Sequence, residues 1–206
     1  MSKLILIPTE FERQKVRAIL SNEHPQLARQ IELKLCGFGP IAAAAKTMQL
    51  LSDQPERVVL LGIAGSYRPD LFPVGSATKF KHVICHGVGV GSDETFISAR
   101  ELGWQQGPAV NDRIACATAT TDDPPFDLLT VCSAADTPEQ AAIRLAQNPT
   151  AVGEDMEAFG VAMACQMQNV DLEVIRGFSN LAGDRNKANW QIDRALTAAV
   201  ELLVQT

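Results

Sequence analysis

The segment RVVLLGI, residues 57–63, is an uninterrupted apolar run that is followed by the small and polar letters AGSY. Runs of this length, rich in branched apolar residues, are typical of strands that are buried on both faces of a sheet. A second run, KLILI at residues 3–7, precedes a helical pattern over residues 11–20. Repetition of a strand and then a helix predicts an α/β fold, with helices on both faces of a central sheet.

The alternation continues along the chain. Further helical patterns cover residues 41–51, 138–146, 156–168 and 191–204. Further strand patterns cover residues 30–36, 77–85, 113–119, 128–133, 151–154 and 172–178. Neither a repeat nor a linker divides the 206 residues, so a single domain over residues 1–206 is predicted.

The composition is that of an ordinary globular protein, with 46% hydrophobic and 20% charged residues. The net charge of −6 argues against a nucleic-acid partner, which would require a concentrated basic surface. The opening letters MSKLILIPTE fit a buried strand, and no apolar run has the length of a membrane span. We therefore expect a cytoplasmic protein with no membrane partner.

Cysteines and histidines give no signal for a metal or a redox site. The five cysteines are scattered without a C-x-x-C pair, which indicates reduced thiols in the core. His82 and His86 are four residues apart, but KHVICHGVGVG has the pattern of a strand and a turn, so we expect no metal. GFGP is not a G-x-G-x-x-G fingerprint, and no cofactor is expected.

Glycine, acid and amide residues are concentrated where the strands end, and ligands of α/β folds bind at such ends. The segments are PTEFE (8–12), CGFGP (36–40), GIAGSY (62–67), GEDMEAFG (153–160) and RGFSNLAGDRN (176–186). Each segment alone has a simpler explanation. Glycines form turns, Met156 fills cores, and Asn180 could bond to the backbone of a turn.

Taken together, these segments resemble the family of methylthioadenosine/S-adenosylhomocysteine nucleosidases and purine nucleoside phosphorylases. The segment EDME, followed about twenty residues later by RGFSN, is the most specific pair. The resemblance implies a three-layer αβα sandwich around a central mixed sheet. It also implies cleavage of the N-glycosidic bond of a small-molecule nucleoside, and a homodimer or a higher homo-oligomer.

The family's catalytic roles fall on acids and an amide of this chain. The resemblance implies that Glu157 accepts hydrogen bonds from the ribose hydroxyls and that Asn180 contacts the purine. It implies that Glu12 activates water, with Glu10 as the alternative. Such groups suit the reaction, because the ribose becomes cationic and the departing base anionic.

The resemblance also implies four binding residues. Met156 would lie against the sugar, and Ala64 and Gly65 would form the wall beside base and sugar. Arg176 would position the water or a carboxylate, or would form an ion pair at a strand end. Ile63 departs from the pattern, because the nucleosidases often have a hydroxyl residue there.

Two features, SNLAGDR and GVGVGSDETFISARELGW, resemble the branch of this family that hydrolyses futalosine in the alternative menaquinone route. A carboxamide at Asn180 matches N7–H and O6 of a 6-oxopurine, which favours hypoxanthine as the leaving base. An adenine-releasing nucleosidase, a phosphorylase and a non-catalytic binding protein remain open. So does the residue that holds the substrate tail, with Arg68, Lys79, Lys81 and Arg185 as candidates.

Overall fold

The computed structural model describes residues 3–107, 112–117 and 126–205. A nine-stranded mixed sheet forms its centre. The strands of this sheet are β1 (Lys3–Ile7), β2 (Leu33–Leu35), β3 (Arg57–Ser66), β4 (Ala77–Lys79), β5 (His82–Cys85), β8 (Arg113–Ala115), β9 (Asp127–Thr130), β10 (Ala151–Asp155) and β11 (Asp171–Leu181). A separate hairpin consists of β6 (Gly89–Val90) and β7 (Ile97–Ser98).

Strand β3 is the centre of the sheet, because it pairs with three other strands. It runs parallel to β1 and to β11, and its last residues pair antiparallel with β10. The carboxyl ends of β1, β3 and β11 therefore meet at one edge, where β10 also ends. The expectation that RVVLLGI is a buried strand is confirmed, since Val58 to Leu61 are fully buried.

Helices cover both faces of the sheet. They are α1 (Glu10–Glu23), α2 (Pro25–Gln30), α3 (Pro40–Leu50), α4 (Pro138–Gln147), α5 (Ala158–Met167) and α6 (Ile192–Val204). Side chains of α3 and α5 pack on one face, and those of α1 and α6 pack on the other. The α/β sandwich with a mixed central sheet is thereby confirmed.

Glycine permits the close approach of α3 and α5. A Cβ at Gly160 would overlap the carbonyl oxygen of Pro40. Since α5 leads away from Glu157 and α3 begins beside the CGFGP segment, this contact brings two of the candidate segments together.

Several of the predicted boundaries are wrong, and three of them matter most for the site. The strand predicted over residues 57–63 continues to Ser66, because its last residues pair with β10. Residues 77–85 form two strands, since the backbone changes partner from β11 to β9 at Phe80 and Lys81. Strand β11 continues three residues beyond Phe178, so that Asn180 lies in a strand with a register shift and not in a turn.

Other expectations have mixed outcomes. His82 lies in β5 and His86 follows it, as the strand-and-turn pattern predicted.

The cysteines are less uniformly buried than expected. Cys36, Cys116 and Cys165 are buried free thiols, but Cys132 is exposed, which corrects the prediction that all five are core residues. Part of the strand predicted over 113–119 lies outside the described residues. No helix within those residues is long and apolar enough to cross a membrane.

Candidate active site

A cavity of about 720 Å³ opens at the edge where β1, β3, β10 and β11 end. Its buried end is lined by acids and an amide, and its mouth by aromatic and charged side chains. The residues of the buried end include Glu12, Ile63, Ala64, Gly65, Glu154, Asp155, Met156, Glu157, Ser179 and Asn180. Thus six of the seven residues singled out from the sequence share one cavity wall, and Arg176 lies behind it.

Glu12 is held by the first turn of α1. The hydroxyl of Thr9 caps this helix by accepting from the Glu12 backbone N–H, and it donates to Oε2 of Glu12 at 2.5 Å. Oε1 accepts the backbone N–H of Ile63 at 3.0 Å. Glu12 is buried, whereas Glu10 is outside the cavity and forms an ion pair with Arg13.

The Ile63 contact bears on the departure from the family pattern. An isoleucine side chain cannot donate a hydrogen bond, but its backbone N–H orients Glu12. The orientation of this carboxylate therefore does not depend on a hydroxyl side chain at residue 63.

Glu157 is held by contacts to both of its carboxylate oxygens. The backbone N–H of Gly39 donates to Oε1 at 3.1 Å, and Nη2 of Arg176 donates to Oε2 at 3.3 Å. Gly39 has a φ of 85°, a conformation that glycine adopts readily. The GFGP segment is therefore a turn that aims a backbone N–H at Glu157.

Arg176 is fully buried and pairs with two carboxylates. Its Nε donates to Oδ2 of Asp155 at 3.1 Å, in addition to the contact of Nη2 with Glu157. Both alternatives left open for Arg176 are thus present, because it forms an ion pair inside the sheet and it also holds the candidate catalytic carboxylate.

The electrostatics of this cluster follow from burial and from its charge balance. Burial raises the pKa of Glu157 to about 7; Arg176 and the Gly39 amide oppose the rise, whereas Asp155 and Glu12 add to it. Burial would lower the pKa of Arg176, but the attraction of these carboxylates outweighs it, and the pKa is raised. Arg176 therefore stays cationic, and Glu157 can change its charge near neutral pH.

Gly62 leaves the space in which Arg176 and Glu12 face each other. A Cβ at residue 62 would overlap Nη1 of Arg176 and would lie 2.8 Å from Oε1 of Glu12. Nη1 is buried and has no hydrogen-bond acceptor among the described residues. Nη1 of Arg176, with its unused donor, and Oε1 of Glu12 thus lie close together beside Gly62 of β3.

The Asn180 carboxamide is oriented by its neighbour in the strand, Ser179. The Ser179 hydroxyl donates to Oδ1 of Asn180 at 2.8 Å, and Nδ2 of Asn180 donates to the carbonyl of Leu181 at 2.7 Å. Nδ2 also donates to the carbonyl of Asp184 at 3.5 Å, so Oδ1 keeps capacity for one further hydrogen bond, whereas the second N–H of Nδ2 makes this long contact. Sequence reasoning missed Ser179, although its position next to Asn180 was visible.

Ala64, Gly65 and Met156 all line the cavity. A Cβ at residue 65 would meet Ala182 at 3.2 Å, so the glycine also allows close packing against the end of β11. Met156 is half-buried and presents an apolar surface between Asp155 and Glu157.

A buried polar network around Glu154 was not predicted. Oε2 of Glu154 accepts from the Tyr67 hydroxyl at 2.7 Å and from Arg144 at 2.8 Å, and Oε1 accepts the backbone N–H of Ala135 at 2.7 Å. Burial and the adjacent carboxylate raise the pKa of Tyr67. Because Val131 and Ala134 line the cavity, Glu154 fixes the segment that bounds this side of it.

The four candidates for the substrate tail fall in different places. Arg68 pairs with Asp70 at 3.0 Å, and Lys79 pairs with Glu173 at 2.7 Å. Neither these two residues nor Lys81 lines the cavity. Arg185 does line it, and its guanidinium lies 5.2 Å from the centre of the Trp190 ring.

Comparison with known proteins identifies the family of this chain and two of its relatives. Residues 26–205 match the model of the phosphorylase superfamily. The chain is 31% identical over 180 residues to a futalosine hydrolase of Streptomyces coelicolor, covering 82% of this chain and 75% of the relative. It is 26% identical over 181 residues to a 5′-methylthioadenosine/S-adenosylhomocysteine nucleosidase of Marinomonas sp., covering 79% and 73% of the two chains.

A solved structure shows the same fold. It is a 5′-methylthioadenosine/S-adenosylhomocysteine nucleosidase of Colwellia psychrerythraea in complex with adenine, with a TM-score of 0.74 and 21% identity. The match covers 98% of this chain and 93% of the other. The relatives are named as a hydrolase and a nucleosidase, and with them the family match defines an enzyme of the class that acts on N-glycosidic bonds. The chain belongs to the phosphorylase superfamily.

Proposed function

We propose that the chain hydrolyses futalosine, releasing hypoxanthine and dehypoxanthine futalosine. The observation that carries this proposal is the shared cavity of Glu12, Glu157 and Asn180, with Arg176 directly behind the first two. The 31% identity to a futalosine hydrolase supports the choice of substrate.

Glu157 stabilises the ribose as its ring becomes cationic. Its carboxylate accepts hydrogen bonds from the ribose hydroxyls, and its negative charge is close to the developing positive charge. The Gly39 amide and Arg176 hold the carboxylate in place before the substrate binds. Met156 packs against the sugar.

Glu12 orients and deprotonates the attacking water. Its Oε1 faces Nη1 of Arg176, which has capacity for one more acceptor. A water molecule between these two groups would accept from the guanidinium and donate to the carboxylate. A carboxylate in hydrogen-bond contact with the attacking water is the geometry that general-base catalysis requires.

Asn180 selects the base. Oδ1 accepts N7–H of the departing purine beside its bond from Ser179, and Nδ2 donates to O6 in place of its 3.5 Å contact with the Asp184 carbonyl. N7-protonated adenine presents donors at both places, and one unmatched buried group costs about 1–3 kcal/mol. The carboxamide supplies no proton, so the proton on N7 comes from water.

Hydrolysis is favoured over phosphorolysis by the loops around the reacting atoms. A phosphate nucleophile requires a basic anion pocket, and neither GFGP nor GIAGS contains lysine or arginine. A binding protein without catalysis is disfavoured because the three candidate catalytic groups occur together in one cavity.

The second candidate is an adenine-releasing nucleosidase that acts on methylthioadenosine, S-adenosylhomocysteine or aminofutalosine. The relative at 26% identity and the structure with bound adenine favour it. Asn180 argues against it, because a carboxylate suits N7-protonated adenine better than a carboxamide does.

We also propose a homodimer. Phe38 and Ile41 are 65% and 83% exposed, and Phe38 lines the cavity mouth. Apolar side chains exposed beside a cavity fit an interface with a second subunit. Sedimentation equilibrium would test this point, and a monomer at micromolar concentration would refute it.

The decisive experiment separates the two reactions and the two bases. The protein is incubated with futalosine, inosine, adenosine and methylthioadenosine in buffer without phosphate, and the released base is identified by chromatography. We expect hypoxanthine from futalosine, with no increase in rate when phosphate is added. Release of adenine alone, or release only in phosphate, would refute the proposal.

A further inference from the structure

The cavity carries opposite charges at its two ends. Among the described residues, its buried end contains four carboxylates, of Glu12, Glu154, Asp155 and Glu157, and the guanidinium groups of Arg144 and Arg176 behind them balance two of these charges. Three cationic side chains among the described residues line its mouth, those of Lys15, Arg185 and Lys187. A ligand that is complementary to the whole cavity is therefore cationic at one end and anionic at the other.

Only two of the three cations are available to a ligand. Lys15 is neutralised by Asp193, with its Nζ 2.5 Å from Oδ1 of that residue. In the part of the chain that the structure describes, no carboxylate pairs with Arg185 or Lys187. Both side chains are on the exposed segment that connects β11 to α6.

This connecting segment is held in shape by its own hydrogen bonds. The Asp184 carboxylate accepts from the backbone N–H of Asn186 at 2.9 Å and from the Asn189 side chain at 2.8 Å. The Trp190 indole N–H donates to the Asp184 carbonyl at 3.1 Å. The hydrogen bonds of the Asp184 carboxylate are thus made within its own segment, and Asp184 forms no ion pair with Arg185.

Trp190 fixes the position of Arg185. The guanidinium lies 5.2 Å from the ring centre, which is a cation–π distance. Stacking on an aromatic face leaves the edge of the guanidinium, with its N–H donors, free for a planar anion. A carboxylate is such an anion and can accept two of these N–H groups together.

We propose that Arg185 and Lys187 form a subsite for a carboxylate on the 5′ substituent of the nucleoside. The inference rests on the proposed function, in which the base and the ribose occupy the buried end. The substituent on C5′ then leaves through the mouth, past the ring of Trp190. The tail of futalosine is aromatic and carries a carboxylate, so it meets an aromatic ring and two unpaired cations.

The same subsite discriminates among nucleosides by their tails. A 5′-methylthio group is neutral and gains nothing from Arg185 or Lys187. A nucleoside with a bare 5′-hydroxyl, such as inosine, does not reach them. The mouth therefore selects the tail, independently of the selection of the base by Asn180.

The test is a binding measurement, so that it does not depend on turnover. Futalosine and inosine are titrated calorimetrically into a Glu12→Gln protein and into the same protein with Arg185→Glu and Lys187→Glu. Glu12→Gln with Arg17→Glu and Lys46→Glu is the matched control. Its two additional substitutions reverse two exposed cations that do not line the cavity, with the same change in net charge.

We expect the dissociation constant of futalosine to rise about tenfold or more in the Arg185/Lys187 variant, since charge-assisted hydrogen bonds to a carboxylate are lost. The constant of inosine should be unchanged, and the control should bind both nucleosides as the Glu12→Gln protein does. Equal changes for the two nucleosides, no change for futalosine, or no binding of either would overturn the subsite. A wild-type protein that binds futalosine in this way but releases no hypoxanthine would refute only the proposed function.

Discussion

Replacement of Arg176 by methionine tests the arrangement on which the candidate active site depends. The guanidinium is fully buried and is the common partner of Asp155 and Glu157, which are themselves 4% and 5% exposed. Methionine keeps most of the volume but leaves both carboxylates without their cation. Loss of one partner of a buried ion pair costs about 3–5 kcal/mol, so the free energy of unfolding should fall by about that amount at pH 8.

The loss of stability should be smaller at pH 6 than at pH 8, because it depends on the protonation of Glu157. Burial already raises the pKa of Glu157 to about 7, and Arg176 is the main group that opposes the rise. Without Arg176 the pKa rises further, so the folded variant binds a proton that the unfolded chain releases, and its stability increases as the pH falls. Between pH 8 and pH 6 the defect should shrink by about 1 kcal/mol for one added unit of pKa shift, and by about 1.4 kcal/mol at most.

Urea denaturation followed by circular dichroism at pH 6 and pH 8 gives both quantities. Arg176→Lys keeps the charge and should lose less stability than Arg176→Met. Arg17→Met, at an exposed position on α1, is the matched control and should change stability by less than about 0.5 kcal/mol. A loss below about 1 kcal/mol in Arg176→Met, or a loss that is equal at the two pH values, would refute the reasoning.

Three further predictions follow from individual contacts. The kcat/KM for hydrolysis should increase as the pH rises through about 7, because Glu157 must be ionised to stabilise the cationic ribose. A profile of kcat/KM that is flat from pH 5.5 to 8.5 would count against this role of Glu157. Asn180→Asp should shift the ratio of kcat/KM from hypoxanthine nucleosides towards adenine nucleosides by about 10–100-fold, and an unchanged ratio would argue against base selection by the carboxamide. Tyr67→Phe should lower the free energy of unfolding by about 1.5–3 kcal/mol in thermal denaturation, because a buried hydrogen bond to the Glu154 carboxylate is lost; a change below about 0.5 kcal/mol would show that this contact is not formed.

Much of the fold could be predicted because its strands and helices are encoded locally. KLILI and RVVLLGI form strands at the predicted residues, and the helix predicted over 138–146 is one residue longer in the structure. Apolar strands and amphipathic helices specify their own burial, and the sheet forms whenever such units alternate.

The errors arise where distant partners decide the structure. Strand β3 continues through Ala64 and Gly65 because β10 and β11 pair with its end, and both strands lie more than eighty residues further along the chain. The change of partner at Phe80 likewise depends on β9 and β11. No local pattern of residues can report such pairings.

The candidate site likewise has a part that the local sequence predicted and a part that depends on distant residues. Acids and amides at strand ends indicated where Glu12, Glu157 and Asn180 would meet, since parallel strands bring their carboxyl ends together. The partners that orient these groups came from elsewhere in the chain, as with the Gly39 amide on Glu157. The Glu154 network had no signal at all, because Tyr67, Arg144 and Ala135 have no common spacing in the sequence.

A crystal structure of the Glu12→Gln protein with futalosine bound is the most direct test of the account. We expect Oδ1 of Asn180 within about 3.2 Å of N7 of the base, and the Glu157 carboxylate within the same distance of the ribose hydroxyls. A nucleoside that occupies the cavity with its base turned away from Asn180, or with its sugar out of reach of Glu157, would contradict the proposed mechanism.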